Sequence, residues 1–66
     1  MSILPMQLVI EVSNRSPYEE IHRVEIANLS EAPIAGDLIV WHGDSYTVKY
    51  RFIDYEHERV LIKAAI

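Results

Sequence analysis

A chain of 66 residues without cysteine forms one small domain, with no disulfide to stabilise it and no thiolate to act as nucleophile or zinc ligand. Half of its residues are hydrophobic, a share that excludes intrinsic disorder and predicts apolar surface for a partner to cover. The net charge of −4 opposes nonspecific attachment to nucleic acid or to an anionic membrane.

The first predicted element is a strand over residues 6–12, MQLVIEV. Hydrophobic residues recur there at every second position, which is the period of a strand with one buried face. The residues on the expected inner side are Met6, Leu8, Ile10 and Val12.

The next segment, SPYEEIHRVEIANL, carries two conflicting signals. Ser16 and Glu19 form a capping box with Pro17 at the first helical position, which favours a helix over residues 17–28. Alternation in HRVEIAN and its β-branched residues favour a strand. We predict a strand over residues 20–28, paired with residues 6–12, and keep the helix as the alternative.

A loop and a hairpin follow. Pro33 and Gly36 indicate a loop that ends in a turn, and DLIVWH is typical of a strand. Gly43-Asp44 suits a two-residue type II′ turn, with glycine at the first central position. That turn places Trp41 near Tyr46.

The last two predicted strands are SYTVKYRFIDY and RVLIKAAI, which both alternate. A two-residue turn at Glu56-His57 would put Phe52 beside Leu61, which mixes the inner and outer faces. A three-residue loop over residues 56–58 sets Phe52 by Ile62 and Tyr50 by Ala64. Since a slip of one residue moves every side chain to the other face, the pattern favours the three-residue loop.

Five short strands joined by tight turns predict an all-β fold, a partly open small barrel built from antiparallel hairpins. The pattern P-x-x-G-D from Pro33 to Asp37, followed by L-I-V at residues 38–40, Gly43, and Y-x-V at Tyr46 and Val48, resembles small SH3-like β-barrel domains of short bacterial and phage proteins. The resemblance covers about residues 33–64. It rests on turn glycines and core positions, so it implies a fold and assigns no functional residue.

The aromatic residues have two interpretations. Tyr46, Val48 and Phe52 are explained as core, whereas Trp41 lies beside the predicted turn near the barrel rim. Tryptophan at such a position is often half exposed and can anchor a partner.

A basic stripe is expected on the outer face of the last hairpin. In the predicted register Arg51 lies directly opposite Lys63, with Lys49 two residues along. Like charges facing each other are unfavourable, and an anion there would relieve the repulsion. The simpler interpretation is a solvated face on which basic residues protect exposed strands from aggregation.

Catalytic and metal-binding motifs do not emerge from the sequence. His22, His42 and His57 fall in separate strands and turns, without a recognised ligand spacing. DYEHE at residues 54–58 lacks the glycine and oxygen spacing of a calcium loop. We therefore expect no enzyme activity, no metal and no cofactor.

The leading functional hypothesis is a noncatalytic interaction module that binds a protein partner or itself through outward Val9, Ile53 and Leu61. The alternative is a nucleic-acid binder that uses the basic stripe, with Trp41 or Tyr50 stacking on bases, although the acidic net charge disfavours it. The apolar runs are too short to span a bilayer, and the first residues lack the features of a signal peptide. We expect a cytoplasmic protein that does not bind membranes.

Overall fold

The computed structural model describes residues 5–14 and 17–66, and its regular elements are almost entirely strands. No α-helix occurs in those two ranges. A single 3-10 turn, Leu29–Glu31, interrupts the long loop in the middle of the chain. The five strands are β1 Met6–Ser13, β2 Glu19–Ile26, β3 Leu38–Trp41, β4 Asp44–Asp54 and β5 Arg59–Ala65.

The strands form one mixed sheet in the order β2-β1-β5-β4-β3, which curls through 226° into an open half-barrel. This confirms the predicted all-β, partly open architecture. The three pairs that are adjacent in sequence or share a hairpin are antiparallel, but β1 and β5 pair in parallel. The parallel pair joins the first and last strands, and within residues 5–14 and 17–66 no strand pairs with the outer edge of β2 or of β3.

The core fills the concave side of the half-barrel, which we call the inner face. β1 and β5 lie in the middle of the sheet and supply most of it, since every second residue of each strand is buried on that side. The buried core residues are Met6, Leu8, Ile10, Val12, Ile26, Ala32, Tyr46, Val48, Val60, Ile62 and Ala64. Leu29 of the 3-10 turn packs against this cluster from the loop.

The ambiguous second segment is a strand, as predicted, with Leu8 opposite Val24 and Met6 opposite Ile26. It covers Glu19–Ile26, one residue earlier at its start and two earlier at its end than expected. Strand pairing buries Ile26 and packs Ile21 against the core. Ser16, where the competing capping box would begin, lies outside the described residues.

The hairpin between β3 and β4 turns at His42-Gly43, so the predicted turn at Gly43-Asp44 is wrong. Both central residues have positive φ, 49° and 82°, which is the type I′ conformation favoured in two-residue hairpins. As a result Trp41 pairs with Asp44, and Ile39 pairs with Tyr46. The register moves by two residues, which leaves the same side chains on each face.

The hairpin between β4 and β5 also departs from the prediction. Its loop is residues 55–58, and Phe52 pairs with Leu61, the arrangement that seemed to mix the faces. A β-bulge between Val48 and Tyr50 resolves the conflict. The bulge inserts Lys49 as an extra residue, so the alternation of β4 reverses from Tyr50 onward.

Candidate functional site

The convex side of the sheet, which we call the outer face, carries the main candidate site. Val48 and Ala64 pair on the inner face, so the pairs on either side of them, Thr47 with Ala65 and Tyr50 with Lys63, point outward. β3 extends this face, because Leu38 lies opposite Thr47.

Large apolar side chains are exposed on this outer face. Leu38 and Val40 on β3 are 68% and 69% exposed, and Tyr50 and Phe52 on β4 are 57% and 48% exposed. The rings of Tyr50 and Phe52 lie side by side, with centroids 6.0 Å apart. Clustering of exposed apolar residues on one face is typical of an interaction surface.

The exposure of Phe52 corrects its predicted place in the core, and the cause is the bulge at Lys49. Without the bulge, Tyr50 and Phe52 would follow Tyr46 and Val48 onto the inner face. With it, Ile53 moves inward and packs against the core. The two aromatic rings move outward in exchange.

The three residues predicted to point outward take different places. Val9 does lie on the outer face, between Arg23 and Leu61 in register, but it is only 2% exposed. Leu61 is half-buried on the same face. Ile53 is on the inner face, for the reason given above. The exposed apolar surface is therefore carried by β3 and β4 rather than by the residues that the sequence suggested.

Lys63 is held in the outer face by its neighbours. Its Nζ lies 3.3 Å from Glu11 Oε1 on β1 and 4.6 Å from the centre of the Tyr18 ring. A cation over an aromatic face is attracted by the ring quadrupole. The charge of Lys63 is thus already engaged on two sides, and Tyr50 lies opposite it on the third.

The predicted basic stripe does not form. Arg51 lies opposite Ile62, not opposite Lys63, so these two cations occupy different faces of the sheet. Lys49 is the bulge residue, and both Lys49 and Arg51 are exposed. Neither of them forms an ion pair within residues 5–14 and 17–66. A register one residue away from the predicted one separates the charges.

Trp41 is the last residue of β3 and is 37% exposed, consistent with the half-exposed rim position expected from sequence. Its ring meets His42 edge to face at 4.8 Å between centroids. The side chain is therefore partly fixed at the hairpin end. Its role as a partner anchor stays a prediction.

A polar cluster closes the loop between β4 and β5. Asp54 accepts hydrogen bonds from the backbone N–H of His57 at 3.1 Å and from Arg59 Nε at 3.2 Å, and its Oδ2 lies 2.9 Å from His57 Nδ1. These bonds, with the His57 side chain first, lower the pKa of Asp54. The cluster fixes the conformation of the turn, in which Glu58 adopts a positive φ of 52°.

A second polar cluster lies on the β2 edge. Arg23 donates hydrogen bonds to both carboxylate oxygens of Glu20, at 2.9 and 2.6 Å, and to Gln7 Oε1 at 2.7 Å. The bond from Arg23 lowers the pKa of Glu20, and the bond to Glu20 raises the pKa of Arg23. This edge is therefore covered by paired charges.

Two open clefts accompany these features. One of about 370 Å³ adjoins the aromatic pair and is lined by Phe52, Ile53, Asp54, Arg59 and Leu61. Another of about 540 Å³ is lined by Ser13, Asn14, Asp44, Ala65 and Ile66. Within the described residues no three His, Asp or Glu side chains converge in a way that could hold a metal ion.

No protein-family model, curated protein or solved structure gives a significant match to this chain. None of the described residues forms a helix that is long and apolar enough to cross a membrane.

Proposed function

We propose that this protein is a small noncatalytic interaction module whose outer face binds protein. The observation that carries the proposal is the shared exposure of Leu38, Val40, Tyr50 and Phe52 on one face of the sheet. Full burial of a large apolar side chain is worth about 1.5–3 kcal/mol, and these four side chains leave roughly half or more of that unrealised. A partner that covers the face recovers that free energy.

The composition of the face suits protein recognition. Tyr50 and Phe52 are large, stiff side chains of the kind that anchors many interfaces. Charged pairs border them, namely Lys63 with Glu11 and Arg59 with Asp54. Such a border orients a partner more than it adds affinity.

We further propose that the half-barrel belongs to the SH3-like class found in short bacterial and phage proteins, and that it works in the cytoplasm. The resemblance to SH3-like domains is supported by where the residues of its sequence pattern lie in the structure. Pro33 to Asp37 falls in the loop before β3, Gly43 in a hairpin turn, and Tyr46 and Val48 in the core. The lack of cysteine is in keeping with a reducing compartment.

Nucleic-acid binding is the second candidate function, and one observation favours it. Two adjacent exposed rings on a sheet can stack on unpaired bases, at about 1–3 kcal/mol per base. Against it stand the net charge of −4 and the pairing of Lys63 with Glu11. Such binding would weaken steeply with added salt.

The proposal can be tested with a photo-crosslinking amino acid, benzoylphenylalanine, placed at Tyr50 in living cells of the source organism. The matched control is the same substitution at Tyr55, an equally exposed tyrosine (61%) that lies in the β4–β5 loop. We expect protein adducts from position 50 and far fewer from position 55. Adducts to nucleic acid at position 50 would select the second candidate, and equal labelling from both positions would overturn the protein-binding face.

A further inference from the structure

The two free edges of the sheet differ in how they are protected against pairing with another strand. β2 carries Glu19, Glu20, Arg23 and Glu25 among its eight residues, and a bulge interrupts its pairing with β1. Charges and bulges of this kind are the usual means by which sheet edges resist association. The β3 edge, Leu38–Trp41, has neither a charged residue nor a bulge.

The unpaired backbone groups of β3 can be located from its pairing with β4. The N–H of Val48 donates to the carbonyl of Asp37 at 2.8 Å, so hydrogen-bonded pairing recurs at Ile39 and Trp41. The N–H and C=O groups of Leu38 and Val40 therefore point away from β4. Among the described residues no backbone group donates to or accepts from the N–H and C=O groups of Leu38 and Val40.

We propose that β3 pairs with β3 of a second copy of this chain, antiparallel, about a two-fold axis through Ile39. In this register Leu38 of each copy exchanges both backbone hydrogen bonds with Val40 of the other, and Ile39 faces its own counterpart. The two outer faces then join into one sheet surface. The inference goes beyond the interaction role proposed above, because edge pairing leaves Tyr50 and Phe52 on each outer face open to another partner.

The register follows from three independent requirements. Residues directly opposite each other point to the same side of a sheet, so Leu38 must meet Val40 for the exposed aliphatic side chains to pack together. The outward-pointing backbone groups sit on these same two residues, as hydrogen-bonded pairing needs. Finally, Asp37 falls opposite Trp41, so that no carboxylate faces a carboxylate across the two strands.

A second copy fits this edge better than the other arrangements that the sheet allows. Pairing β2 with β2 would bring together strands that each carry three glutamates. Pairing β3 with β2 of a second copy is a head-to-tail contact, which gives a ring or an open filament and not a two-fold dimer. The β3 pair is symmetric, uncharged and closed.

The first experiment measures self-association by sedimentation velocity up to about 1 mM protein, comparing the native chain with Val40→Pro and Val40→Thr. Proline removes the outward N–H of residue 40 but no hydrogen bond to β4, so the monomer should keep its fold. We expect Val40→Pro to weaken the dimer by about tenfold or more, and Val40→Thr to weaken it much less because its N–H remains. A native chain that stays monomeric, or a dimer that Val40→Pro leaves unchanged, would overturn the inference.

The second experiment does not depend on the fold of the proline variant. The chain lacks cysteine, so a single Ile39→Cys provides the only thiol. In a non-hydrogen-bonded antiparallel pair the opposing Cα atoms lie about 4.5 Å apart, which a disulfide can bridge. We expect mild oxidation to give a disulfide dimer from Ile39→Cys and little from Val40→Cys, whose thiol faces position 38. Equal crosslinking of the two variants would contradict the register.

These outcomes separate the dimer from the interaction role itself. A monomer with protein adducts at position 50 supports the binding face and overturns only the β3 dimer. A β3 dimer without adducts at position 50 supports the dimer and overturns the proposal that the outer face binds protein.

Discussion

Tyr50 lies directly opposite Lys63 on the outer face, although Val48, only two residues earlier, lies opposite Ala64 on the inner face. The extra residue between them, Lys49, is what reverses the alternation of β4. This single bulge decides which aromatic side chains of β4 are buried and which point outward.

Truncation of β4 and β5 residues should follow the observed faces. Val48→Ala and Ile62→Ala remove buried atoms and should each lower the free energy of unfolding by about 1–4 kcal/mol. Phe52→Ala removes a half-exposed ring and should cost less than about 1 kcal/mol. Urea denaturation of the three variants provides the measurement, and a cost for Phe52→Ala equal to that of Val48→Ala would place Phe52 in the core after all.

Deletion of Lys49 should be tolerated. Val48 would then be followed directly by Tyr50, and each would keep its present partner, Ala64 or Lys63, in a regular ladder. Deletion of Thr47 is the control, because with Val48 still opposite Ala64 it would move the buried Tyr46 to the outer face. We expect a cooperative thermal unfolding transition for the first deletion and none for the second. The reverse result would mean that the bulge is not where β4 changes face.

The sequence predicts the strands whose alternation is uninterrupted and fails where a local insertion reverses it. Met6 and Val12 were correctly assigned to the core, since β1 alternates without a break on its inner side. In β4 the bulge residue is a lysine amid strand-forming residues, so nothing in the pattern separates Tyr50 from Val48. The parallel pairing of β1 with β5 joins the two ends of the chain, which no local signal encodes.

The candidate site was missed for the same reason. Unbroken alternation in β4 predicts that Tyr50 and Phe52 continue the core side of Tyr46, and the predicted basic stripe depends on that register. One signal pointed the other way: a turn at Glu56-His57 gives the observed pairs, including Phe52 with Leu61. In a regular ladder those pairs would mix the inner and outer faces, a conflict that a bulge resolves.

The type I′ turn should be improved by His42→Asn. His42 has φ 49°, a left-handed conformation that costs an ordinary residue about 1–2 kcal/mol and that asparagine accepts readily. We expect a gain of about 0.5–1 kcal/mol in the free energy of unfolding, reduced somewhat by loss of the ring contact with Trp41. Gly43→Ala, at φ 82°, is the converse variant and should destabilise. A loss of stability with His42→Asn would show that the contact with Trp41 outweighs the strain.

Acid should weaken the fold partly through Asp54. Its pKa is lowered in the folded state by hydrogen bonds from His57 and Arg59, so the folded protein favours the charged form. That stabilisation is present above the pKa of the unfolded chain, about 3.9, and is lost as pH falls through the lower folded value. Asp54→Asn should therefore be less stable than the native chain at pH 7 and equally stable below the folded pKa.

The measurement for Asp54 is urea denaturation across pH, together with a carboxyl carbon NMR titration of the native chain. Glu56→Gln is the control, since it removes one negative charge from the same loop and Glu56 forms no ion pair within the described residues. If both variants showed the same pH dependence, net charge rather than the turn cluster would be responsible.

Charge reversal should affect Lys63 and Arg51 unequally, because only Lys63 is held by neighbours. Lys63→Glu would bring a second negative charge near Glu11 and remove the cation from the Tyr18 ring, so we expect a loss of about 1 kcal/mol or more. Arg51→Glu should change stability by less than about 0.5 kcal/mol, since Arg51 is exposed and unpaired among the described residues.

Combining Lys63→Glu with Glu11→Lys should recover the ion pair but not the contact with Tyr18, which makes the recovery partial. Urea denaturation of the single and double variants gives the coupling free energy between residues 11 and 63. A coupling of zero, or equal losses from Lys63→Glu and Arg51→Glu, would show that the contacts of Lys63 add nothing to stability.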